Sequence, residues 1–107
     1  DNLDFPKHRF KKFIKDIVTG TIERNDLILD ELNTKLGDDF VFENLDKVFQ
    51  TILKAATYEF MYKPQLSLNI IIKEYLNSSN FFLENSQTKY LNALLDNVGK
   101  KLRSKNA

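Results

Sequence analysis

The chain contains no cysteine and no tryptophan, and only one histidine, two prolines and three glycines in 107 residues. Without cysteine there are no disulfide staples, no thiolate nucleophile and no cysteine-rich zinc site. His8 alone cannot assemble a metal centre. The glycines stand far apart, at Gly20, Gly37 and Gly99, so no glycine-rich loop is available to cradle a phosphate. No apolar run approaches the roughly 20 residues of a membrane-spanning helix, and the opening residues do not read as a secretory signal. The expectation is a soluble protein. Acid pairs do occur, Asp38 with Asp39 in a turn and Glu23 with Asp26 or Asp30 with Glu31 along a helix. Each reads as solvated surface charge rather than as a general acid and base. An enzyme is therefore not expected, nor is a metal or cofactor site.

What is present suits one globular domain spanning 1–107. The chain is 42% apolar and 29% charged, ordinary for a soluble fold and long enough to bury a core without staples. The net charge is +1, but it is unevenly spread: residues 1–20 carry +2, 21–46 carry −6 and 47–107 carry +5. Such asymmetry fits either nucleic acid at one surface and a basic protein at another, or simple self-complementation.

The hydrophobic periodicity is helical throughout, and it predicts an all-α fold. Pro6 can open a helix whose apolar stripe is Phe10, Phe13, Ile14, Ile17, Val18 and Thr21. The stretch TIERNDLILDELNTKL follows and ends at Gly37, a residue that tolerates left-handed backbone. After the connection DDFVF, a helix that Pro64 terminates carries Leu45, Val48, Phe49, Ile52, Leu53, Ala56 and Phe60 on one face. Ser67 reads as the N-cap of LNIIIKEYLNSSNFF, and Asn85 or Ser86 as the cap of the last helix. That last helix has the stripe Tyr90, Leu91, Leu94, Leu95, Val98 and Leu102. Lys100, Lys101 and Arg103 lie at its end, where the helix dipole favours cations. The run Ile70–Ile72 is the one β-like feature, and its context places it in a buried helix.

One residue breaks the pattern. Glu59 falls on the apolar face between Val48 and Ile52, whereas Tyr58 points the opposite way. A buried carboxylate needs a partner, and the amides at the Ser67 helix start, one loop away, are the expected donors. On this reading Glu59 is structural and fastens two helices together. Lys47, Lys54 and Tyr58 share the expected solvent side of the same helix, which makes them either a docking face for a partner protein or an ordinary solvated face.

The stretches ILKAATYEF, IIIKEYLNSSNFF and KYLNALLDNVGKKLR, together with the upstream FIKDIVTG, resemble the transcription antitermination family NusB. The resemblance covers nearly the whole chain, and the spacing from Ile52 to Asp96 fits without a gap. Three positions depart from the family pattern: Lys54 stands for an arginine, Ser67 for a proline, and Lys73 for asparagine or serine. The family's arginine-rich arm and first helix are missing ahead of DNLDFPKHRF, as in a fragment.

The resemblance implies a compact helical bundle of two packed subbundles, here without that first helix. It also implies a cytoplasmic factor that binds boxA RNA of ribosomal RNA leader transcripts with NusE, a small-subunit ribosomal protein, and joins the RNA polymerase antitermination complex. The turn before the last helix would face the RNA, through Ser86, Gln87, Lys89 and Tyr90. These are suitable types for stacking on and bonding to single strands, although a helix cap followed by a half-buried tyrosine would read the same way. Two other readings are the RNA-binding domain of a ribosomal RNA cytosine methyltransferase and a helical protein-interaction module that touches no RNA. Loss of the first helix would leave an apolar groove involving Phe10, Phe13 and Ile17, and with it self-association.

Overall fold

The computed structural model describes residues 15–38, 40–80 and 82–103. Pro6, His8, Phe10, Phe13, Ile14 and Asp39 lie outside the described residues. Within them, α1 runs over residues 15–23, followed by α2 (Asn25–Leu36), a 3-10 turn (Phe42–Asn44), α3 (Lys47–Tyr62), α4 (Leu68–Ser79) and α5 (Asn85–Leu102). No strand occurs among the described residues, so the helical periodicity is read correctly.

α5 packs against α2, α3 and α4, and α3 packs against α2 and α4. Ile28 and Leu32 of α2, Leu53 and Phe60 of α3, Ile71 of α4, and Leu91, Leu95 and Val98 of α5 make the core. α1 lies outside this group, across α3. It meets that helix at Gly20, where a Cβ would stand 2.3 Å from the ring of Tyr58. Only a hydrogen at that position leaves room for the ring.

Local signals explain the helix ends. The Ser67 hydroxyl accepts the Ile70 N–H at 3.2 Å, as its capping role requires. Gly37 adopts φ 81° with ψ −175°, a conformation open essentially to glycine alone. The cap of α5 falls one residue earlier than Asn85: the Gln87 side chain turns back to accept the Glu84 N–H at 2.9 Å. This is the returning arm of a capping box.

Three expectations need correction. The break between the first two helices is at Arg24, with φ −111° and ψ 21°, so residues 21–23 continue α1 rather than open α2. Val18 and Val48, placed on buried stripes by periodicity, are 50% and 44% exposed. Val18 lines a groove between α1 and α3 that those two helices alone do not fill. Arg103 stands at the end of α5, where its backbone N–H donates to the Gly99 carbonyl at 3.1 Å, but its side chain does not stay there. Its guanidinium donates instead to the carbonyls of Phe60 and Lys63, each at 3.0 Å, and to that of Leu66. It thereby caps the end of α3, where Pro64 cannot donate.

Gly20→Ala is expected to cost about 1–3 kcal/mol in urea denaturation, the range for overpacking a filled site. Thr19→Ala, on the exposed side of the same helix, should change stability by less than about 0.5 kcal/mol.

Candidate nucleic-acid interface and buried carboxylate

At the start of α5, Ser86, Lys89 and Tyr90 are exposed and Gln87 is half-buried. Spacings of three and four residues put Ser86, Lys89 and Tyr90, and also Gln87 with Tyr90, side by side on the helix. Tyr90 is 47% exposed. Its ring centroid lies 5.3 Å from that of buried Phe49 on α3, with the planes tilted by 52°. One part of the tyrosine is thus supported on the core, and the rest is open to solvent. Gln87 spends its amide oxygen on the helix cap, which leaves its NH2 group as the outward donor.

The second candidate group does not form one surface. Lys47 is exposed, and Lys54 is half-buried, donating to Asn25 Oδ1 at 3.0 Å with its ammonium 5.7 Å from the Phe42 ring. Tyr58 is only 6% exposed, contrary to its place on a solvent face. That side of α3 is covered by α1, and periodicity within one helix cannot reveal a second helix lying on it. Under α1, the Tyr58 hydroxyl donates to Asp16 Oδ1 at 3.4 Å, and the other Asp16 oxygen pairs with Lys63 at 2.6 Å. The Arg24 guanidinium sits 4.7 Å from the centroid of Tyr62 and 6.0 Å from that of Tyr58. Asp16, Gly20 and Arg24 recur every four residues, one face of α1. That spacing was visible in the sequence, but nothing there identified its target. Where α1 and α3 diverge, Ile17, Val18, Thr21, Ile22, Thr51, Lys54 and Ala55 line a groove of about 240 Å³.

Glu59 is 2% exposed, as its wheel position predicted, but its neighbour is different. The group it faces is the Tyr75 hydroxyl in the middle of α4, not the start of that helix. Glu59 Oε2 and the Tyr75 oxygen are both buried without a well-formed hydrogen bond. Burial raises the carboxyl pKa above the usual range. The Tyr75 hydroxyl and the Lys63 charge pull it down, while Glu74 and Asp16 push it further up. Burial likewise raises the Tyr75 phenol, helped by Glu59. The Asp16 carboxylate raises the Lys63 ammonium. Acids from two different helices, Asp16 and Glu59, thus act on the one lysine. Among the described residues no three His, Cys, Asp or Glu side chains converge as a metal site, and no helix is long and apolar enough to cross a membrane.

Because the folded pKa of Glu59 is raised, its favourable contribution is complete below the ordinary carboxylate range and is lost as pH rises through the folded value. Glu59→Gln should flatten that part of the stability profile. It should be the more stable protein near pH 7 by about 1–3 kcal/mol, the range for an unpaired buried polar group. Urea denaturation of both proteins from pH 4 to pH 8 checks this.

Comparison with known proteins places the chain. A family model described as the NusB family matches residues 4–100. The transcription antitermination protein NusB of Sphingopyxis alaskensis is 31% identical over 93 residues, 87% of this chain and 62% of that protein. The protein of the same name from Novosphingobium aromaticivorans is 33% identical over 91 residues, covering 85% and 62%. The one from Mesorhizobium japonicum is 30% identical over 92 residues, covering 86% and 59%. The chain thus spans about three fifths of the length of these relatives. No solved structure matches it. With the match running across nearly all of its helices, the chain belongs to the NusB family.

Proposed function

We propose that this chain acts in transcription antitermination in the cytoplasm. It binds boxA RNA of ribosomal RNA leader transcripts together with NusE and joins the RNA polymerase antitermination complex. The observation that carries this reading is Tyr90, a half-exposed aromatic ring supported from beneath and flanked by Lys89, Ser86 and the outward amide of Gln87. Single-stranded RNA is bound by stacking on such rings with polar contacts beside them. The names of the relatives support this reading over a methyltransferase domain. A net charge of +1 provides little electrostatic hold on RNA, so affinity alone is weak and the partner protein strengthens it. Of the proposed partner residues, Lys47 is exposed and available to NusE, whereas Lys54 is half-buried against Asn25 and Tyr58 is buried beneath α1.

Tyr90→Ala is expected to weaken boxA binding roughly 5- to 100-fold, the equivalent of one lost stacking contact, with Tyr90→Phe nearly silent. Lys89→Ala should reduce the log–log salt slope by about 0.7, one phosphate's worth on a single strand. Fluorescence anisotropy with and without NusE measures all three. Equal affinity in the presence and absence of NusE, or an unaltered Tyr90→Ala, counts against the proposal.

The groove between α1 and α3, with Val18 and Ile22 exposed at its edges, supports self-association. Sedimentation velocity should show a concentration-dependent coefficient that Ile22→Glu abolishes. A wild-type chain that stays monomeric at every concentration removes this part of the reading.

A further inference from the structure

We infer that Phe49 is a positioning residue for the RNA site, holding the Tyr90 ring in the tilt from which its free side meets a nucleobase. The inference rests on the RNA-binding reading of Tyr90. Phe49 belongs to the buried core, so its own ring has little freedom. Its centroid separation of 5.3 Å and tilt of 52° from Tyr90 fall in the range where aromatic pairs attract beyond simple burial.

The helix packing preserves this geometry. About two and a half to three turns further along the same two helices, a Cβ on Gly99 of α5 would lie 3.2 Å from the Phe60 ring of α3 and 3.0 Å from Leu68 of α4. Phe49 faces Tyr90 and Phe60 faces Gly99, so α3 and α5 run in the same direction in close register. The missing side chain at Gly99 brings α5 near enough for Tyr90 to rest on Phe49.

An exposed tyrosine normally samples several rotamers and must give that freedom up when a base stacks on it. A ring already leaning on a buried phenylalanine has given up most of it. The support occupies one side of the ring and leaves space for one base, consistent with a single unpaired nucleotide.

A double-mutant cycle tests this, using fluorescein-labelled boxA RNA and proteins confirmed folded by their melting transitions. Phe49→Leu is expected to weaken binding about three- to tenfold in the Tyr90 protein, a coupling ordinary for residues in contact. In the Tyr90→Ala background it should have no further effect. Phe49→Met, closer in volume, serves where Phe49→Leu melts too low. In protein labelled with 3-fluorotyrosine, the Tyr90 fluorine line should move on substitution of Phe49. The lines of Tyr58, Tyr62 and Tyr75 should stay in place. Equal losses in both backgrounds, an unmoved Tyr90 line, or undiminished binding by Phe49→Leu overturns the inference while leaving Tyr90 in the site. A Tyr90→Ala protein that binds normally overturns the RNA-binding reading itself, and the inference with it.

Discussion

The seat of α1 depends on the contact between Gly20 and Tyr58. Any side chain at position 20 would occupy the ring's place, and without the ring α1 would lose its main apolar support on α3. Once the ring is seated, Asp16 on the preceding turn reaches both the Tyr58 hydroxyl and Lys63, and Arg24 on the following turn lies over Tyr62. Three polar contacts of modest individual worth are thus aligned by one steric condition. The Asp16–Lys63 pair is half-exposed and contributes little alone. Its importance lies in holding the lysine beside Glu59, where its charge offsets part of the cost of a carboxylate removed from water.

A second fastening operates at the same end of α3. Pro64 ends α3 and leaves carbonyls there that need donors. Arg103, arriving from the end of α5, supplies them with one planar group. Guanidinium geometry suits this task because several fixed N–H donors can reach several carbonyls at once. The α3–α4 turn is consequently tied to the last helix, and α5, which touches α2, α3 and α4, becomes the element that organises the others. Its first turns carry the candidate RNA face, so the accuracy of that face follows from how firmly α5 is held along its length.

Charge shapes what the site can do. The cations are spread over several helices rather than gathered at the start of α5, where Lys89 is the cation beside Tyr90. A stacking ring with one nearby lysine suits local recognition of a strand presented by other components better than capture of RNA by long-range attraction.

Several features were determined by the sequence itself because they depend on neighbours three or four residues away. The helical class, the Ser67 cap, the stop before Pro64, the glycine at the end of α2 and the burial of Glu59 all follow from periodicity and local hydrogen bonding. The family was legible in the same way, through motifs at fixed spacing. Contacts between helices decided the rest. Tyr58 looked solvent-facing until α1 covered it, and Val18 looked buried although the groove it lines stays open. Arg103 does stand at its own helix end, yet its guanidinium reaches the end of another. Glu59 required a partner, but only packing chose Tyr75 over the nearer Ser67 turn. The physical reason is common to all four: a helical wheel gives the direction of a side chain relative to its own axis, whereas burial and pairing depend on which other helix arrives at that side, and at what distance.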